Sequence, residues 1–131
     1  MNPIQLFELA SKQAEWLQVR QQVVVGNIAN ANTPKYTAKD ITPFSAVLDN
    51  TMPSQRMATT HPGHMEAYAL SDENIDVREA RLNNEIGIQE SGNTVALSQE
   101  LSKTGEIKRQ HELNTSLVSS FHRMMLMTVK R

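Results

Sequence analysis

Cysteine is absent from the 131 residues, which removes disulfides, thiolate metal ligands and a cysteine nucleophile together. Aromatic side chains are scarce at 5%, so a core has to be built from Leu, Ile, Val, Met and Ala, which suit helix seams better than a β-sandwich. Neither sign of charge predominates: 13 Lys and Arg stand against 14 Asp and Glu, for a formal net charge of -1. A chain this close to neutral offers no footprint for nucleic acid or an anionic membrane. No apolar run approaches the roughly 20 residues that span a bilayer, so membrane insertion is not expected. The start, Met1 to Ala10, has no basic stretch leading into an apolar one, and any export is expected to proceed without a cleaved leader. Catalytic signatures are missing as well, with no Gly-x-Ser-x-Gly, Walker loop or His-Glu-x-x-His. Neither an enzymatic activity nor a cofactor is expected.

What is present is helical pattern at both ends. Asn2-Pro3-Ile4-Gln5 supplies a cap, a proline at the first helical position and a Gln that can return the capping bond. Phe7, Ala10, Ala14, Leu17, Gln21, Val24, Ile28 and Ala31 then alternate at spacings of three and four, a heptad seam in which only Gln21 is polar. Pro34 forces the residue before it out of the α region, and Asn30, Asn32 and Thr33 favour local side-chain bonds, so the helix is expected to end near residues 29–31. Residues 33–92 carry Pro34, Pro43, Pro53 and Pro62 and no sustained apolar period. They read as an irregular middle segment, with short ordered pieces expected from Ile41 to Leu48 and from Ile75 to Ile88, the latter as a helix through Arg78, Leu82 and Ile86. A second start signal stands at Ser91-Gly92-Asn93-Thr94. Beyond it Leu97, Leu101 and Thr104, then Leu113, Leu117, Phe121 and Met124 with Val118, Met125 and Val129, form an apolar stripe that shifts phase near residues 108–110. It reads as one long helix, or as two joined near Gly105. The expected organisation is a mainly α chain: an N-terminal helix in residues 1–32, an irregular, Pro-rich middle in 33–92 and a C-terminal helix in 93–131, the two helices pairing as a coiled-coil-like hairpin. The expected packing seam is Phe7, Ala10, Ala14, Leu17 and Val24 against Leu97, Leu101, Leu113, Leu117, Phe121 and Met124.

Helices of about 27 and 37 residues would run roughly 40 and 55 Å, beyond the diameter of roughly 36 Å expected of a compact globule this long. The first helix also shows Leu9, Trp16 and Val23 beside its heptad line. Apolar surface left over after pairing is expected to be covered by partner chains.

Other residues admit sharper readings. His61 and His64 flank Pro62-Gly63 and could ligate zinc with Glu66 or Asp72, but a third convincing ligand is missing and solvent-exposed turn histidines are the plainer reading. His111 and His122 share nearly one helix face without a carboxylate four residues away, which suits surface or interface positions. Asp72, Glu73, Asp76, Glu79, Glu85 and Glu90 with Arg78 and Arg81 read as a solvated charged segment. Met124, Met125 and Met127 suit an adaptable packing surface.

The helix exit carries the most specific signal. Asn27-Ile28-Ala29-Asn30-Ala31-Asn32-Thr33-Pro34-Lys35-Tyr36, continuing to Asp40, closely resembles the signature of flagellar rod, hook and hook-associated axial proteins, and within that family it is most similar to the proximal-rod members. Length, the segment Ala58-Thr59-Thr60-His61-Pro62-Gly63-His64-Met65, and Gly92-Asn93-Thr94-Val95 ahead of the second helix agree. The resemblance implies a structural subunit of the proximal rod of the bacterial flagellar basal body, required for motility. It implies export through the flagellar type III apparatus to the periplasmic rod and assembly through the terminal helices. The implied partners are the chain itself, other rod subunits, the ring-to-rod adaptor FliE, the basal-body ring and the export apparatus. The alternatives are another short axial subunit, a cytosolic coiled-coil export adaptor or, in a different class, a small metal-dependent hydrolase centred on His61 and His64. The motif residues Asn27, Ile28, Ala29, Asn30, Ala31, Asn32, Thr33, Pro34 and Tyr36 are the candidate assembly element. Two positions depart from the family. Lys35 stands where glycine is usual, so the turn is expected to use another geometry. Ala96 replaces an acid and is expected to deprive Asn93 of a capping partner.

Overall fold

The computed structural model describes residues 3–51, 75–80 and 88–129. Helix α1 spans Pro3–Ala29, strand β1 Lys39–Ile41, helix α2 Phe44–Thr51, strand β2 Val77–Glu79 and helix α3 Leu97–Val129. The helices α1 and α3, of 27 and 33 residues, are about 40 and 50 Å long. They pack against each other in opposite directions: Asn27 meets Glu100, Arg20 meets Glu106, Ala10 meets Asn114 and Phe7 meets Phe121. No described helix is long and apolar enough to cross a membrane.

The second helix takes the first of its two sequence readings and departs from the sequence only at its start. It runs unbroken through Gly105, so the phase shift near residues 108–110 is no joint. It begins at Leu97, with residues 93–96 outside it. Gly92 takes φ 77 there, a turn conformation open to glycine at little cost. The backbone beside it pairs with the exit of α1, because Lys35 N donates to Ser91 O at 2.9 Å and Thr94 N to Tyr36 O at 3.1 Å.

Strands β1 and β2 form a two-stranded antiparallel ladder with Lys39 opposite Glu79, Asp40 opposite Arg78 and Ile41 opposite Val77. Arg78 therefore lies in a strand, and the helix expected through it is corrected; Leu82 and Ile86 lie outside the described residues. A three-residue strand has no apolar period to detect, and its pairing partner lies far away in the chain.

The core joins Trp16, Leu17, Val24, Ile41, Val47 and Ile107, with Val19, Val23, Ile28, Phe44 and Ile75 packed around it. Trp16, which the sequence left for partner chains, is thus covered by this chain's own middle segment, and Val23, left with it, is partly buried against the same core. The Trp16 ring sits 5.7 Å from Phe44, its Nε1 donates to Thr42 O at 2.8 Å, and the Arg20 guanidinium lies 5.2 Å from its centroid. An indole buried with its N–H satisfied anchors the middle segment to α1 far more firmly than the proline-rich composition suggests.

Candidate assembly junction

The end of α1 terminates by local chemistry. Asn30 N reaches both Gly26 O and Asn27 O, and Ala31 N reaches Ile28 O, so the last turn tightens as it runs out of partners. Asn30 Nδ2 bends back to Gly26 O at 2.8 Å, and Thr33 Oγ1 donates to Asn30 Oδ1 at 3.2 Å. Pro34 has no N–H with which to continue.

Beyond it Lys35 takes φ 58. The lysine thus adopts the left-handed geometry of the usual glycine, against the expectation that it would avoid it, and the flanking bonds hold it there. Such a conformation costs a residue with a Cβ about 1–2 kcal/mol. Lys35→Gly is therefore expected to raise stability by about 0.5–1 kcal/mol once the added chain entropy is offset. A denaturant melt followed by the emission of Trp16, the single tryptophan, measures it, and a variant less stable than the parent contradicts the strain.

Two buried amides organise the junction. Asn27 is fully buried and faces β1. Its Oδ1 accepts from Lys39 N at 2.9 Å and its Nδ2 donates to Lys39 O at 2.7 Å. The side chain stands in for a neighbouring strand and satisfies the edge of β1 turned away from β2. The same Nδ2 donates to Glu100 Oε2 at 3.1 Å, and Tyr36 Oη approaches Oδ1 at 3.5 Å. Asn93, also fully buried, works from the opposite strand of chain. Its Nδ2 donates to Asn30 O, Ala31 O and Thr33 O at 2.9, 2.9 and 2.8 Å, and its Oδ1 accepts from Val95 N at 2.7 Å. Two amide protons shared among three carbonyls hold the turn that follows α1. Asn93 therefore serves the exit of the other helix and not the start of its own, so Ala96 deprives it of nothing. Thr94 Oγ1 adds a bond from Ala38 N at 2.8 Å.

Of the motif residues, Asn27 is buried, Ile28, Asn30, Ala31 and Tyr36 are half-buried, and Ala29, Asn32, Thr33 and Pro34 are exposed. Of the seam residues, Ala10, Leu17 and Val24 are buried. Phe7 and Phe121 meet edge-on, 6.0 Å apart at 81°. Ala14 lines an open groove of about 410 Å³ with Ser11, Gln18, Ile107 and His111. Leu97, Leu101, Leu113, Leu117 and Met124 are exposed on the single chain, at 47% to 66%. The face that α3 turns to α1 is instead Glu100, Ile107, Asn114 and Phe121, with Asn114 Nδ2 donating to Ala10 O at 2.9 Å. These four recur every seven residues, but two are polar, and a search for apolar positions alone passes over them. Glu100 and Asn114 were missed for that reason.

His61, His64, Glu66 and Asp72 lie outside the described residues. Among the described residues no three His, Cys, Asp or Glu side chains are grouped as a metal site. Asp76 and Arg78 of the charged segment form an exposed pair at 3.1 Å.

No family model matches the chain. Curated relatives do. The flagellar basal body rod protein FlgB of Agrobacterium fabrum is 66% identical over 131 residues, 100% of this chain and 97% of the relative. The FlgB proteins of Escherichia coli K12 and Shigella flexneri are each 32% identical over 107 residues, 76% of this chain and 75% of each relative. With a full-length relative at that identity, and with the Asn-rich helix exit built into a two-helix junction, the chain belongs to the FlgB family of flagellar basal body rod proteins.

Proposed function

We propose that the chain is a structural subunit of the proximal rod of the flagellar basal body, exported through the flagellar type III apparatus and assembled by its terminal helices. The observation that carries this reading is the second apolar run of α3. Leu113, Leu117, Met124 and Met127 are 66%, 47%, 55% and 67% exposed, and with Ser120 they follow coiled-coil spacings of four and three. The outward positions of α1, among them Gln5, Glu8, Ser11, Glu15, Gln18 and Gln22, are mostly polar, with Val25 an apolar exception at 54% exposed. One helix is thus finished by its partner and its solvent face, and the other presents a seam suited to a further helix. The seam residues named from sequence, Leu97, Leu101, Leu113, Leu117 and Met124, serve in this reading between subunits.

The neighbours in this proposal are further copies, other rod subunits and the adaptor FliE, at the periplasmic rod. Cross-linking of intact basal bodies tests it. The expected result is recovery of this chain joined to rod components, together with loss of swimming on deletion of its gene and return of swimming on complementation. A chain that remains in the cytoplasm bound to export substrates would instead be an export adaptor.

A further inference from the structure

Glu100 is a carboxylate only 2% exposed, on a helix face where Ile107 and Phe121 show that hydrocarbon also packs. Its Oε2 accepts from Asn27 Nδ2 at 3.1 Å and its Oε1 from Lys103 Nζ at 3.0 Å. The same Nζ lies 3.5 Å from Asp40 Oδ2. Asn27 in turn grips Lys39 through both its N–H and its carbonyl. The contacts therefore close into a ring that leaves α1 at Asn27, crosses to α3 at Glu100 and Lys103, passes to β1 at Asp40 and Lys39, and returns to Asn27.

From this ring we infer that Glu100 is a positioning residue, tying the register of α3 on α1 to the direction in which β1 and α2 leave the helix pair. An apolar side chain at this position would pack in several registers, because dispersion contacts are not directional. The ring is satisfied in one. Polar groups placed in a helix seam are known to select register while adding little net stability. Two features keep the burial of charge tolerable: Glu100 stands in the first turn of α3, where the helix end favours an anion, and both of its oxygens are bonded. Asn27 makes the coupling directional, since one amide reads the backbone of β1 and the carboxylate of α3 together. The pair of Arg20 with Glu106 at 3.4 Å joins one helix to the other and does not include β1, so it cannot do this. The inference concerns one chain and stands apart from the assembly reading, so either can fail without the other.

The absence of native cysteine allows the test in the full-length chain. Spin labels are placed at Glu79→Cys on β2 and Ser119→Cys on α3, both exposed, and the distance distribution between them is measured by electron–electron double resonance. Helix content by circular dichroism and Trp16 emission are recorded alongside. Glu100→Gln and Lys103→Gln are each expected to broaden the distribution about twofold or more, with helix content and emission unchanged. Lys103, with a side chain 22% exposed, serves as the safer arm: if Glu100→Gln prevents folding, broadening in Lys103→Gln alone supports the ring. A distribution as narrow as the parent's in both variants overturns the inference. So does an unfolded Glu100→Gln chain paired with an unchanged Lys103→Gln chain, because Glu100 would then be a structural necessity without a positioning role.

Discussion

Replacement of Asn93 by alanine is expected to lower the stability of the chain by about 2–4 kcal/mol, a large part of what holds a domain of this size together. The side chain is fully buried and donates to three carbonyls at the end of α1 while accepting from Val95 N. Removing it strips the turn after α1 of its principal partner and leaves a cavity with unpaired polar groups along its wall. Asn93→Asp is expected to be worse than alanine, because a carboxylate would point its lone pairs at three carbonyl oxygens. Equilibrium urea unfolding, followed through Trp16 emission and helical circular dichroism, gives the measurement. An alanine variant within about 0.5 kcal/mol of the parent, the range of an ordinary surface change, would rule out this role in holding the turn.

The second large effect is expected in assembly with little change in the free chain. Leu113→Gln combined with Leu117→Gln removes two side chains that are 66% and 47% exposed, and glutamine matches leucine closely in helix propensity. Helix content and melting of the dilute chain should stay close to the parent's. In cells lacking the parent gene, the same variant should abolish swimming and prevent recovery of complete rods, since two amides would have to be desolvated in each helix contact. Full swimming in that strain would remove the outer seam of α3 as an assembly surface. The contrast with Asn93 is instructive: one substitution acts within the chain and the other between chains, and the two measurements separate them.

Much of the junction was legible before any coordinates. Pro34 and the asparagines ahead of it placed the end of α1 near residues 29–31, and it falls at Ala29, because a proline without N–H and with a clashing ring acts only on its immediate neighbours. Apolar spacing found the buried positions Ala10, Leu17 and Val24, since α1 buries a mostly apolar stripe. On α3 the same spacing reached Phe121, which meets Phe7, while its other members lie exposed on the single chain. The side toward α1 mixes Glu100 and Asn114 with Ile107 and Phe121, and the richer apolar run at Leu113, Leu117 and Met124 lies to one side of it. Counting hydrophobic residues located the face that this chain leaves open and caught only Phe121 of the one it closes.

The sequence by itself determined the two long helices, the sharp exit at Thr33-Pro34 and the family, because each rests on interactions within a few residues or on a contiguous motif. Only the tertiary structure decided that Asn93 holds a helix exit 60 to 63 residues away, that Asn27 completes a strand edge, that Lys35 is held left-handed and that Trp16 is covered by the middle segment. A periodic pattern records which residues share a face; it carries no record of what stands opposite. An amide or carboxylate is equally at home in water or against a distant carbonyl, and the pairing is settled only when the chain has folded back on itself.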